Sequence, residues 1–227
     1  MSIKPILFNT EMVRAILDGR KSCTRRLIKP QPDEKHTYPL GFVNDSTERK
    51  DIGSFGFGTS ELGGSIQYKK PPYQPGDILY VRETWCLRFD GEKYFYKADK
   101  NTSREEKHLL DYDDVRWHPS IHMPKEAARI WLKVMDVRVE RLKDMTNNDA
   151  LKEGAEGVRC DHAGSGAYGC TDCMNTGWLE PPLLEFMGIW NSTIKKSDID
   201  RYGWDANPYV FVIEFVKIDK PEEIQNA

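Results

Sequence analysis

Two short stretches of this chain concentrate the residue types that do chemistry. The first runs from Ile16 to Leu27, Ile-Leu-Asp-Gly-Arg-Lys-Ser-Cys-Thr-Arg-Arg-Leu, and sets Lys21 and the Thr24 hydroxyl among Arg20, Arg25 and Arg26, with Arg14 one turn earlier. A threonine is a poor nucleophile unless a base stands beside it, and a lysine serves as base only where burial or nearby positive charge disfavours an ammonium. Without that chemistry the same cluster reads as a solvated basic surface, the usual place for Arg and Lys. The second stretch is Cys160-Asp-His162 followed, after a loop of Ala, Gly, Ser and Tyr, by Cys170-Thr-Asp-Cys173. A Cys-x-x-Cys knuckle converges two thiolates on one tetrahedral ion, and Cys160 with His162 completes a Cys3His set that would hold zinc at about 2.0–2.3 Å. His108, His118 and His122 are alternative fourth ligands. A closed site of this kind is structural, stapling a glycine-rich loop that has no core of its own.

The elements that must position the first cluster can be read from capping and periodicity. Asn9 and Thr10 are N-cap candidates, Glu11 supplies an acidic first turn, and Met12, Val13, Ile16 and Leu17 share one helical face. Gly19 ends that helix, Lys21 falls in the bend, and Ser22 to Leu27 enters a strand. A strictly extended run would place Lys21 and Thr24 on opposite faces, so a shared site requires the bend at or just after Lys21. Further on, Pro75-Gly76-Asp77 is a turn feeding the strand Ile78 to Arg82, continuing into Glu83-Thr84-Trp85. Ala128 to Leu142 and Tyr209 to Val216 read as strands, Asp149 to Gly154 as a short helix, and Leu183 to Ile194 as an amphipathic helix that packs Phe186, Ile189 and Trp190.

Composition narrows the classes. At 227 residues and 26.3 kDa the chain can bury one sizeable core or two small ones, and 30% charged residues mark a soluble protein. No apolar run approaches the roughly 20 residues that span a bilayer, and the first residues lack a signal-peptide pattern, so the expected compartment is the cytoplasm with no membrane partner. That compartment disfavours a disulfide, and the lack of thioredoxin-like context around Cys170 and Cys173 disfavours redox catalysis. A net charge of −3 and pI near 6.0 leave no global positive field, so a long DNA duplex is not expected and a small ligand or short nucleic-acid element is. Two segments stand out as insertions, at about 29–73 and 158–180. The first is rich in Pro, Gly, Ser, Asp and Lys and reads as a flexible loop. Its Gly53–Gly64 stretch lacks the Lys-Ser or Lys-Thr ending of a phosphate loop.

The segment Ala15 to Arg26 resembles the opening motif of the ASCH family, small PUA-like β-barrel proteins in which a helix ends in Gly-Arg-Lys-Thr before the first strand. Here Ser22 stands where threonine is commoner. Pro75-Gly76-Asp77 with its strand, the run Ala128–Leu142, Asp149-Ala-Leu-Lys-Glu153-Gly154 and Tyr209–Val216 look like the family's later elements. The resemblance implies a mixed α+β fold: one PUA-like small β-barrel domain over residues 1–227, with flanking helices, the flexible insertion and an inserted zinc-binding loop. Cys23 and Cys86 would pack in the barrel.

Within that family the Lys-x-x-Thr spacing is most similar to the N(4)-acetylcytidine amidohydrolases. That branch implies Lys21 as proton acceptor, Thr24 as nucleophile and Glu153 as proton donor, with Arg26 steadying an oxyanion and Trp or Tyr rings stacking on the cytosine. Glu83 is an equally available carboxylate. The longer family members with inserted loops are familiar from bacteriophage and prophage genomes and imply no particular activity. The alternatives are a non-catalytic RNA- or nucleotide-binding module, in which Arg20, Lys21, Arg25 and Arg26 meet phosphate while Trp85 or another exposed aromatic stacks on a base, and a phage or prophage protein-interaction module.

Overall fold

Asn9 caps a helix as its type predicts. In a computed structural model, which describes residues 2–87, 93–99, 116–161, 170, 173, 174 and 176–221, helix α1 spans Thr10–Leu17 and the Asn9 side chain accepts a hydrogen bond from the Met12 amide at 2.8 Å. Val13, Ala15 and Ile16 form its buried stripe. At Gly19 the chain turns through φ +75°, which a residue with a Cβ rarely adopts, and the amides of Arg20 and Lys21 then both donate to the Ala15 carbonyl.

The chain divides into two compact units, each assembled from separate segments: Met1–Lys21, Pro75–Met135 and Phe215–Ala227 in the first, Ser22–Gln74 and Asp136–Glu214 in the second. In the first unit, β1 (Ile3–Leu7) pairs in parallel with β6 (Ile78–Arg82), which pairs antiparallel with the start of β9 (Trp131–Arg141), Tyr80 opposite Trp131. A short antiparallel pair, β7 (Trp85–Leu87) and β8 (Tyr94–Tyr96), follows. The core gathers Ile78, Tyr80, Met123, Ala127, Ala128 and Trp131. Buried Asp77 accepts from the Ser2 amide and hydroxyl and from Lys4 Nζ at 2.8 Å, so the turn before β6 is tied to β1.

In the second unit, β2 (Cys23–Leu27) pairs antiparallel with β12 (Tyr209–Ile218), Thr24 opposite Ile213 and Arg25 opposite Val212. Helix α2 (Asn147–Lys152) starts on a Thr146–Asp149 capping box and is followed by the short pair β10 (Val158–Arg159) and β11 (Trp178–Glu180). Helices α3 (Pro182–Thr193) and α4 (Ile199–Tyr202) complete the unit. Phe186, Trp190 and Trp204 pack with Ala150, Val210 and Val212, and Trp190 Nε1 donates to the Tyr202 carbonyl at 2.9 Å.

Segment 29–73 is where the sequence misleads. In place of a flexible loop the structure has a three-stranded antiparallel sheet, β3 (Tyr38–Phe42), β4 (Phe55–Ser60) and β5 (Gly63–Lys69). The alternating Phe-Gly-Phe-Gly run points two rings inward, Phe55 against Phe211 at 5.9 Å and Phe57 against Tyr209 at 5.0 Å. Its glycines make room for neighbouring strands: a Cβ at Gly58 would lie 2.5 Å from the Gly63 carbonyl and 2.9 Å from Leu40 Cδ1. His36 ties the approach to β5, with Nδ1 2.7 Å from Asp33 Oδ1 and Nε2 3.1 Å from Ser65 Oγ.

The class is mixed α+β, and no closed barrel is found among the described residues. No helix among them is long and apolar enough to cross a membrane.

Candidate functional site

Lys21 lies two residues past the glycine that ends α1, and its backbone is held by the Ala15 carbonyl at 3.0 Å. Its Nζ lies 5.4 Å from the centroid of the Phe8 ring.

Thr24 and Arg25 follow on β2, both buried. Glu153, also buried, is the C-cap of α2, and the chain turns away at Gly154 with φ +90°. The Ser22 amide donates to the Lys152 carbonyl at 2.8 Å, which ties the end of that helix to the start of β2. From β2, Arg25 Nη1 reaches Glu153 Oε1 at 3.4 Å and Nη2 reaches Glu140 Oε2 at 3.0 Å. Glu140 accepts in turn from Arg138 Nε at 2.6 Å, and Arg138 Nη1 donates to Glu214 at 2.6 Å. The result is a ladder of alternating charge across β2, β9 and β12. Burial works against the Arg138 cation, but its bonds to Glu140 and Glu214 outweigh it and hold its pKa above the ordinary value. At Asp149, burial is likewise outweighed, here by the Thr146 bonds with Arg25 and Lys152 nearby, and the carboxyl titrates below its ordinary value. Arg25 Nε is buried without a hydrogen-bond partner.

The other residues singled out by sequence have structural neighbours of their own. Arg20 is exposed and pairs with Asp18 at 3.3 Å. Glu83 is buried and gives both oxygens to Arg129, at 2.9 and 3.0 Å, while Arg129 also holds Asp99 at 2.6 Å and lies over the Tyr96 ring at 3.9 Å. Burial pushes the Glu83 carboxyl up, with Arg129 opposing, and pushes the Tyr96 phenol up to about 12. Trp85 is half-buried, stacked on His118 at 4.9 Å and in an edge contact with Tyr94 at 5.6 Å. Arg26, half-buried, lines a groove with Lys29, Lys69 and Lys70.

The candidate metal centre is in the second unit. The sulfurs of Cys160, Cys170 and Cys173 all lie within 4.8 Å of one another, and none of the five cysteines is in a disulfide. The Cys160 amide donates to the Gly177 carbonyl, and Thr176 donates to the Cys173 carbonyl from both its amide (2.9 Å) and its hydroxyl (2.6 Å), which closes the knuckle as a turn. Arg159 stacks on Trp178 at 3.8 Å across the flanking strands. Three converging thiols are a set that can hold a metal ion. His162 lies outside the described residues, as does His108.

Sequence reasoning did not find Glu140, Arg138 and Glu214, nor Lys29, Lys69 and Lys70. Arg138 and Glu140 carried one usable signal, charges alternating on one face of a long strand, while Glu214 lies on another strand. No known family model, characterised protein or solved structure matches this chain.

Proposed function

We propose that this chain is an ASCH-type protein that recognises a modified nucleoside, alone or within RNA, and hydrolyses the amide of N(4)-acetylcytidine. What supports the reading is burial at the positions that the resemblance names: Lys21 is 3% exposed, Thr24 3% and Glu153 6%. Lysine and glutamate are almost never so enclosed in a globular protein without a specific reason. In this scheme the Thr24 hydroxyl attacks the acetyl carbon, Lys21 serves as proton acceptor, and the C–N(4) bond breaks as Glu153 protonates the departing exocyclic amine. Water then hydrolyses the acetyl ester on Thr24, releasing acetate and restoring the hydroxyl. Arg25, bonded to Glu153, would orient that carboxyl rather than touch the substrate. In this reading, too, the three thiols hold zinc, with His162 as the expected fourth ligand, and the ion staples the 158–180 loop without entering the reaction.

The test is chromatographic detection of cytidine from N(4)-acetylcytidine with wild type, Thr24→Ala and Glu153→Gln. The reading expects turnover by wild type and at least a hundredfold loss in each variant. Turnover that survives Thr24→Ala would overturn the nucleophile assignment, and none from folded wild type would overturn the reaction.

A further inference from the structure

We propose that the groove lined by Arg26, Lys29, Lys69 and Lys70 binds the phosphate backbone of a single-stranded RNA segment. The nucleic-acid identity of the ligand rests on the functional reading above; the anion preference rests on the groove itself. The groove encloses about 450 Å³, and every charged residue on its wall is a cation. The contrast within the same unit is direct. A larger groove of about 1070 Å³ mixes Asp33, Glu34 and Asp200 with Lys35, Arg141 and Arg201, so its charges offset one another. The chain as a whole carries −3, so four cations converging on one concavity are a local arrangement and not the overflow of a basic protein. A concave wall of one sign focuses potential and draws a counter-charged ligand.

The remaining wall suits a nucleotide chain. Tyr68, 40% exposed, stands next to Lys69 on β5, and Pro30, Pro72 and Phe211 give apolar surface beside the cations. Cations that track a backbone beside an aromatic on which a base can stack are the parts of a single-strand site. Two of the cations are anchored by contacts. The Lys29 ammonium lies 4.8 Å from the Tyr202 ring centroid. Arg26 is close enough to Tyr73 for its charge to oppose the upward push that burial gives that phenol. A volume of about 450 Å³ is that of a small-molecule pocket, a size that suits a single strand better than a duplex. Lys29, Lys69 and Lys70 all come from the 29–73 segment, so that segment would supply three of the four cations.

The experiment is fluorescence anisotropy of a fluorescein-labelled twelve-nucleotide single-stranded RNA with the full chain, between 50 and 200 mM salt. Four neutralised phosphates predict a loss of about 50-fold in affinity over that range, and the double substitution Lys69→Ala/Lys70→Ala reduces it to about 7-fold. A charge-reversed Lys70→Glu variant, at an exposed position that leaves folding intact, should weaken binding further at 50 mM. An unchanged salt dependence in the double variant, no binding at 50 mM, or equal affinity for a duplex of the same length would each overturn the proposal. Anisotropy needs no turnover, and hydrolysis of the free nucleoside needs no phosphate. The two readings can therefore fail separately: RNA binding without hydrolysis removes the reaction, and hydrolysis without RNA binding removes the groove.

Discussion

Arg25→Met tests whether the charge ladder on β2 holds Glu153 in place. The Arg25 side chain is 1% exposed, and its partners Glu153 and Glu140 are 4% and 25% exposed. Removing one member of a buried pair costs about 3–5 kcal/mol, chiefly because the other charge is left uncompensated. Glu140 keeps Arg138 at 2.6 Å, so the penalty falls mainly on Glu153, and the 3.4 Å contact argues for the lower end, about 3 kcal/mol. For a chain of this size that is a fall in Tm of about 6–12 °C, read by circular dichroism and by urea titration at constant m. The decisive arm is the second substitution. Glu153→Gln in the Arg25→Met background replaces a carboxyl group that has lost Arg25 by a neutral amide and should recover about 1–2 kcal/mol. A single variant within 1 kcal/mol of wild type, or a double variant less stable than the single, would refute the reasoning.

Three further outcomes follow from the structure. Purified protein should carry close to one equivalent of zinc by elemental analysis, lost in Cys173→Ser together with protection of the 158–180 segment from protease; metal-free wild type with the same protection would contradict the site. Glu83 has a folded pKa raised by burial, so its protonation favours the folded state: that contribution is fully present below the unfolded value of about 4.3 and is lost as pH rises through the raised value. Between those two values stability should therefore fall less, or rise more, with pH in Glu83→Gln than in the wild type, and superimposable slopes would count against it. Gly58→Ala drives a Cβ to 2.5 Å from the Gly63 carbonyl and should cost about 1–3 kcal/mol in urea titration, where a flexible loop would show no change.

What could be read in the sequence was what local periodicity and punctuation encode. Asn9, Gly19 and the apolar face between them placed α1 and the bend that carries Lys21, because capping and a positive φ are decided by a few adjacent residues. The strand from Ile78, the run through Trp131–Arg141 and the helix through Phe186 and Trp190 were legible for the same reason. Segment 29–73 was not, because glycine has two uses that composition cannot separate. At Gly56 and Gly58 it admits a neighbouring strand, as the 3.3 Å approach of Ile66 Cγ2 to a would-be Cβ at Gly56 shows. The knuckle cysteines announced themselves by spacing, and Cys160 joined them as expected. The partners of Arg25 did not, since Glu140 is brought to it from far along the chain only by strand pairing. Glu83 and Trp85 show the converse: residues that look available in sequence are engaged by Arg129, His118 and Tyr94 once the chain is folded.

The measurement that bears most directly on the proposed chemistry is release of cytidine from N(4)-acetylcytidine by the zinc-replete protein, run beside Lys21→Ala. The account predicts turnover by the wild type that disappears in the variant while its thermal unfolding stays cooperative. Equal rates in both proteins, or no cytidine from folded wild type, would contradict it.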